Sequence, residues 1–297
     1  MKDQFKISAY AKINLFLDIT TRRADGYHLL NSIMQQISLA DELTVTVDKP
    51  GEEISLVTDE GLLPCGEKNL VYRGARAFFD TIGESRSLTV KLEKNIPMMA
   101  GLGGGSADCA AILRGLNRFY DNPLSAEQLC RLGAKLGADV PFCICGSTMR
   151  AEGIGEILTA LPPLPSCYIV IAMGRESMPT PAAFAALDLL YDGFDARSPN
   201  LSGYHTMLDA IAAGNLTAAA GGLYNIFEDV VFPELPVLRE RLTLFRQSGA
   251  IGTGMTGSGA AVFGMFTDPV DANRAAKAIR ERGTDAWVCI PVHSPTP

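Results

Sequence analysis

Apolar residues fall at every second position over two long stretches near the start of the chain. Within Phe5–Thr20 the positions are Ile13, Leu15 and Leu17, and within Leu30–Asp48 they are Leu43, Val45 and Val47. A period of two is that of a strand with one buried face. Ile54–Thr58 is a third, shorter strand, expected to pair with the second. The period then changes: Val71, Ala75, Phe78, Phe79 and Ile82 mark an amphipathic helix over Asn69–Ile82. Alternation returns in Ser87–Glu93, and Cys109, Ile112, Leu113, Leu116 and Tyr120 recur at helical spacing after it. Ser125–Gly137 is another helix, with Ser125 and Gln128 as a capping box and Gly137 as its stop. Ala151–Glu156 has the composition of a turn.

Three prolines, Pro162, Pro163 and Pro165, punctuate 161–166. They divide the chain into an expected N-terminal domain, 1–162, and C-terminal domain, 163–297. Beyond them the pattern predicts a strand at Cys167–Met173, helices at 180–190, 204–213, 215–228 and 234–247, a glycine loop at Gly252–Gly259, a strand at Ala260–Phe266, a helix at 269–282 and a strand at 286–292. The fold class is mixed α/β (α+β).

Composition narrows the function classes. Of 297 residues, 47% are hydrophobic and 20% charged, enough to bury a large core, and the formal net charge of −7 argues against nucleic acid as a partner. Seven dispersed cysteines without Cys-x-x-Cys, and three histidines, offer no zinc spacing. They suit thiols in a reducing cytoplasm. No apolar signal core and no run of about 18 apolar residues is present, so neither export nor a membrane partner is expected, and no protein-held metal is assigned.

Chemistry concentrates in Ile96–Ala111, where Gly101, Gly103, Gly104 and Gly105 fall within five residues between a strand and a helix. Glycines let backbone approach a ligand closely. A helix N-terminus adds unpaired N–H groups and the positive end of a dipole, which suits phosphate. Ser106 is expected to cap this helix, with Asp108 in its first turn. The loop is neither a Walker A sequence, since Gly-Lys occurs nowhere, nor a dinucleotide fingerprint, since serine stands at 106. Gly252-Thr-Gly-Met-Thr-Gly257 matches Gly-x-Gly-x-x-Gly literally, but a helix precedes it and a strand follows, the reverse of a Rossmann order. It reads as a loop closing over phosphates or substrate, or as a tight turn. Lys12 interrupts an apolar run and is either an edge residue reaching water, which the strand alone favours, or a buried functional ammonium. Asp25-Gly26 makes Arg22–His28 a turn, either plain surface or a ligand contact through Tyr27 and His28. Asp139 stands at an element end.

These motifs together resemble the superfamily of galactokinase, homoserine kinase, mevalonate kinase and phosphomevalonate kinase. Pro97-Met-Met-Ala-Gly-Leu-Gly-Gly-Gly-Ser-Ala107 is similar to its nucleotide loop. Ala9–Leu15, Arg23–His28, Gly137–Pro141 and Glu152–Glu156 narrow the resemblance to the branch acting on a cytidine diphosphate conjugate of methylerythritol in the non-mevalonate route to isoprenoid precursors. The resemblance implies an N-terminal domain like the second domain of ribosomal protein S5, a ferredoxin-like C-terminal domain, and a site between them. It implies ATP-dependent phosphorylation of a hydroxyl with Mg²⁺, in a monomer or weak homodimer.

By the same resemblance, Asp139 is the base and Lys12 stands beside it. Pro97, Met98, Met99, Ala100, Gly101, Leu102, Gly103, Gly104, Gly105, Ser106 and Ala107 hold ATP, with Asn69 near the adenine. Asn14, Tyr27, His28, Thr180 and Phe184 line the substrate site, Tyr27 stacking on the cytosine opposite Phe184. A helical Phe184 near Leu187 also fits core packing. Two other readings share the loop: a sister kinase for mevalonate, phosphomevalonate or homoserine, and a nucleotide-binding module without catalysis.

Overall fold

The computed structural model describes residues 3–59, 61, 63–194 and 197–293; the outermost ends of the two expected domains lie outside them. Strands β1 (Asp3–Arg22) and β2 (His28–Pro50) form a long antiparallel hairpin. After β3 (Ile54–Thr58), helix α1 (Leu70–Ile82) crosses to β4 (Arg86–Glu93). Next come α2 (Gly104–Phe119), α3 (Ala126–Ala134), α4 (Val140–Cys145), β5 (Thr148–Glu152) and β6 (Ile157–Ala160). The second half runs β7 (Tyr168–Met173), α5 (Thr180–Leu190), α6 (Leu201–Ala212), α7 (Leu216–Gly221), β8 (Tyr224–Asn225), α8 (Glu228–Glu234), α9 (Val237–Gln247), β9 (Gly252–Met255), β10 (Val262–Phe266), α10 (Pro269–Arg280) and β11 (Asp285–Cys289).

Two sheets result. The first has the order β3-β4-β2-β1-β8. The far half of β2 pairs with β4, while its near half, Ser32–Gln35, pairs with β5, which carries β6. The second has the order β11-β7-β10-β9. Bulges in β1 between Tyr10 and Lys12 and between Asn14 and Phe16 bend the hairpin where the chemistry sits.

Several elements depart from the pattern-based expectation. Ile54–Thr58 pairs with β4 in parallel rather than with β2, because the α1 crossover returns β4 between them. The helix expected over 215–228 is broken at Gly221-Gly222, since glycine is a poor helix former. Tyr224–Asn225 leaves it to pair in parallel with Phe16–Leu17, so β8 of the second half completes the first sheet. Gly252–Met255, read as loop, is a strand paired with β10; only 256–259 turn. The Ala151–Glu156 turn is confined to 153–156, after β5. The Ser125 capping box is present as expected, although its helix ends at Ala134.

The seam between the halves is apolar and ionic. Phe16, fully buried, packs on Tyr204 and Tyr224 with ring centroids 5.4 and 5.2 Å away. Burying one such ring contributes roughly 1.5–3 kcal/mol. Beside it the Arg197 guanidinium donates to Asp18 at 2.7 Å, and Asp18 also accepts from the Asn200 amide.

Candidate active site

The glycine loop leaves β4 and enters α2. The residue capping α2 is Gly103, at φ +70°, and no side chain bonds its first turn. Ser106 is therefore the third residue of the helix and not its cap. A serine cap would have used its own oxygen on an N2 or N3 amide. A left-handed glycine leaves those amides directed at the loop's concave side, the arrangement that binds phosphate. Asp108 is likewise one turn further in than expected, and buried.

Lys12 is not an edge residue. It lies on β1 between β2 and β8 and is 4% exposed. Its amide donates to the Leu102 carbonyl at 3.0 Å, which ties strand to loop. A methyl group on Gly103 would stand 3.0 Å from Lys12 Cγ, so the loop lies flat on the lysine stem. Lys12 Nζ donates to Asn14 Oδ1 at 2.8 Å and stands 3.8 Å from Asp139 Oδ2. Lys12 and Asn14 share a face because strand side chains alternate. Asp139 precedes α4, makes no capping bond, and its side chain is 37% exposed to the cleft. Two residues 127 positions apart are thus brought to one point.

Asn14 organises the second glycine loop. Its Oδ1 accepts from the Gly257 amide at 3.0 Å, its Nδ2 donates to Ser32 Oγ, and its backbone N–H donates to Thr256 Oγ1. The two glycine loops touch backbone to backbone: a Cβ on Gly101 would fall 2.3 Å from the Thr256 carbonyl oxygen. Ser258 Oγ pairs with Thr180 Oγ1 at 2.8 Å, joining this loop to the start of α5. Asn225 fixes the loop from behind through the Met255 and Gly257 carbonyls.

Two cavities meet at the first glycine loop. One, of about 290 Å³, is lined by Lys12, Asn14, Asp139, Thr180, Phe184 and Ser258 among others. The other, of about 440 Å³, is lined by 96–106 with Asn69, Lys94 and Asp108. Gly101 and Gly103 line both. Asn69 caps α1, accepting from Val71 N and donating to the Pro64 carbonyl. Met99 is 76% exposed at the rim.

The outer wall of the first cavity is aromatic. His28 stacks on Phe184 at 4.7 Å between centroids, and Phe184 meets Phe227 edge-on. His28 Nε2 lies 2.7 Å from Asp188 Oδ1, and the same carboxylate pairs with Arg22 at 3.3 Å. Tyr27 stands apart, 58% exposed, and it is His28 that covers Phe184.

Sequence patterns missed Lys94, Asp41 and Glu228, and gave Asp108 no role beyond the first turn of its helix. Lys94, at the end of β4, is buried between Asp41 and Asp108, donating to both. Burial works against its charge, but the two carboxylates raise its pKa on balance. Burial pushes Asp108 up to about 8 against the pull of Lys94, and among the described residues its Oδ1 has no hydrogen-bond partner. Only a solved neighbourhood reveals this, because Asp41 lies 53 residues from Lys94.

The third is Glu228, whose carboxylate accepts from the Met255 amide at 2.9 Å below the second loop. Burial pushes it up to about 7, with Asp229 adding to burial and the Met255 N–H opposing it. An unfolded glutamate titrates near ~4.3. A folded value above the unfolded one means that the contribution to stability is complete below about pH 4 and lost as pH rises through about 7. The melting temperature should therefore fall between about pH 4 and 7 more steeply in the parent than in Glu228→Gln, read by calorimetry. Equal slopes would remove Glu228 as the titrating group.

Comparison with known proteins gives this cleft its context. The model of the GHMP kinases N terminal domain matches residues 69–147, and that of the GHMP kinases C terminal domain matches 207–285. The fold and site thus define a GHMP kinase. Two 4-diphosphocytidyl-2-C-methyl-D-erythritol kinases are similar over nearly their whole length. The protein of Caldicellulosiruptor bescii is 40% identical over 93% of this chain and 94% of its own, and that of Desulfitobacterium hafniense 39% identical over 97% and 96%. A crystal structure of 4-(cytidine 5'-diphospho)-2C-methyl-D-erythritol kinase superposes with a TM-score of 0.79 at 34% identity, covering 97% of this chain and 99% of that one. The chain belongs to the 4-diphosphocytidyl-2-C-methyl-D-erythritol kinase family. Homoserine kinase of Cytophaga hutchinsonii, 19% identical over 100% of this chain and 96% of its own with a TM-score of 0.77, shares the fold.

Proposed function

We propose that the chain transfers the γ-phosphoryl group of ATP to the 2-hydroxyl of 4-diphosphocytidyl-2-C-methyl-D-erythritol, a step of the non-mevalonate isoprenoid pathway. The observation that carries the reading is the Lys12–Asp139 pair at 3.8 Å, set against the glycine wall that separates the two cavities. In this reading the triphosphate lies along the loop amides, with the nucleoside in the larger cavity near Asn69 and the acceptor alcohol in the smaller one. Phosphoryl transfer needs positioning and charge stabilisation more than covalent chemistry. Asp139 accepts the proton of the attacking hydroxyl. Lys12, anchored by Asn14, stabilises charge developing on the transferring group.

Mg²⁺ fits the donors present. Among the described residues no three His, Cys, Asp or Glu side chains form a metal cluster. The Ser106 hydroxyl and the Asp139 carboxylate are hard oxygen donors of the kind Mg²⁺ shares with phosphates and water. When bound, it would neutralise phosphate charge.

His28, Phe184, Thr180 and Tyr27 are proposed to read the cytidine diphosphate end, and Asp188 to hold His28. His28→Ala should raise KM for the cytidine conjugate about tenfold or more while leaving KM for ATP unchanged, since an unpaired polar edge costs about 1–3 kcal/mol. A rise confined to ATP would place the base elsewhere. The function itself is tested by offering the conjugate, mevalonate, phosphomevalonate and homoserine with ATP and measuring ADP release. Release with the conjugate alone is expected; preference for another alcohol would replace the reading.

A division at 162/163 belongs to the same proposal, with β8 crossing it. So do action in the cytoplasm and a monomeric or weakly dimeric state. Among the described residues no helix is long and apolar enough to cross a membrane.

A further inference from the structure

Behind Asp139 lies a pair of thiols that the proposed reaction does not use. Cys130 is on α3 and Cys145 ends α4, and their sulfurs are 3.4 Å apart. Both are free and only partly buried, unlike Cys109, Cys143, Cys167 and Cys289. Cys130 Sγ also lies 3.9 Å from the carbonyl oxygen of Pro141, two residues after Asp139. The pair thus touches both ends of the six-residue helix that presents Asp139 to the cleft.

We propose that Cys130 and Cys145 form a reversible oxidation site, closed to a disulfide by low-molecular-weight disulfides, and that closure displaces Asp139 and slows transfer. A disulfide needs sulfurs about 2 Å apart, so the 3.4 Å gap must shrink by more than an ångström. Helices α3 and α4 already touch at Gly133, where a Cβ would fall 2.8 Å from Val140 Cγ1 and 2.9 Å from Ile144 Cδ1, so they cannot close in there and drawing the sulfurs together turns α4 about that contact. Helix α4 is a single bonded unit, with Cys143 N donating to the Asp139 carbonyl and Gly146 N to that of Phe142. It moves as a body and carries Asp139 with it.

The chemistry is asymmetric. The Cys130 thiol shares its proton with the Cys145 sulfur, which lowers Cys145 to about 7 although burial opposes it, and raises Cys130. Cys145 is then the attacking thiolate. It attacks one sulfur of the external disulfide and expels a thiolate, leaving a mixed disulfide. Cys130 loses its proton and attacks Cys145 Sγ, expelling the second thiolate. The protein loses two electrons and two thiol protons, and the external disulfide becomes two thiols.

The oxidation itself stands apart from the proposed function; its effect on turnover rests on Asp139 being the base. The experiment treats the full-length enzyme with oxidised glutathione, maps disulfides by peptide mass spectrometry and measures kcat before and after dithiothreitol. A Cys130–Cys145 link is expected, with kcat falling about a hundredfold, the scale of an ångström of misplacement, and recovering on reduction. Cys130→Ser should keep the untreated kcat and resist the loss, and Cys65→Ser should behave as the parent. Glutathione retained only at exposed Cys65, or a Cys130–Cys145 link with unchanged kcat, overturns the proposal. If Asp139→Asn is itself as fast as the parent, the base assignment has failed instead, while the link still stands on the mass map.

Discussion

Asp139→Asn should lower kcat at least about a hundredfold, the scale on which a positioned general base contributes. The reason is geometric as much as electronic. The side chain caps nothing, it is open to the cleft, and among the described residues the charged group it pairs with is the Lys12 ammonium at 3.8 Å. Asparagine fills the same space and leaves α4 in place, so the fold and both KM values should survive. What is lost is an oxygen able to take the proton of an alcohol, a weak acid that is a poor nucleophile until that proton has an acceptor. Steady-state kinetics with the cytidine conjugate reads the effect. Turnover within a few-fold of the parent would mean that the proton goes elsewhere and that Asp139 only balances Lys12.

Gly101→Ala should be the most damaging change in the nucleotide loop. Gly101 has φ +77°, a conformation that costs an alanine about 1–2 kcal/mol. Its new methyl would also meet the Thr256 carbonyl oxygen at 2.3 Å, a backbone atom of the second loop. Neither loop can yield alone: Thr256 and Gly257 are pinned by Asn14, and Leu102 by the Lys12 amide. The loops would be driven apart, with both cavities losing their shared wall. We expect kcat/KM for ATP to fall at least about a hundredfold, as for an ångström of misplacement, and melting temperature to fall with it. Gly105→Ala is the internal contrast. Gly105 lies in the first turn of α2 without positive φ, and a Cβ there meets only Leu70 Cδ1, at 3.7 Å. That variant should fold as well as the parent or better. Equal damage from the two substitutions would show that close approach to the phosphates, and not contact between the loops, makes the glycines necessary.

The contrast between these glycines indicates what the sequence could and could not convey. Strands and helices whose apolar positions repeat at one period, such as β1 and α1, were legible because periodicity reports burial directly, and β7 because its apolar run is continuous. The glycine cluster and the strand–loop–helix order likewise marked, from local pattern, the loop that lines both cavities. The cap of α2 was misjudged, since Ser106 has the better capping side chain and only the observed φ of Gly103 reveals the cap. Lys12 read as an edge residue because nothing local announces that Leu102 and Gly103, about 90 residues on, lie against it. The pairing of Lys12 with Asp139 came from family resemblance and not from spacing. Lys94 with Asp41 and Asp108, and Glu228 beneath the second loop, carried no periodic or motif signal. Their significance lies in burial shared between distant segments. The broken helix at 221–222 was visible in principle from adjacent glycines, but helical spacing on either side outweighed them.

The account turns on where an alcohol sits relative to one carboxylate and one glycine loop. The distance from Asp139 to the acceptor hydroxyl, in a crystal of the enzyme with a non-hydrolysable ATP analogue and the cytidine conjugate, measures this most directly. The account predicts a hydroxyl within about 3.2 Å of Asp139, in line with a γ-phosphate held by the amides of Gly103–Ser106. A triphosphate bound away from that loop, or a hydroxyl facing away from Asp139, would contradict it.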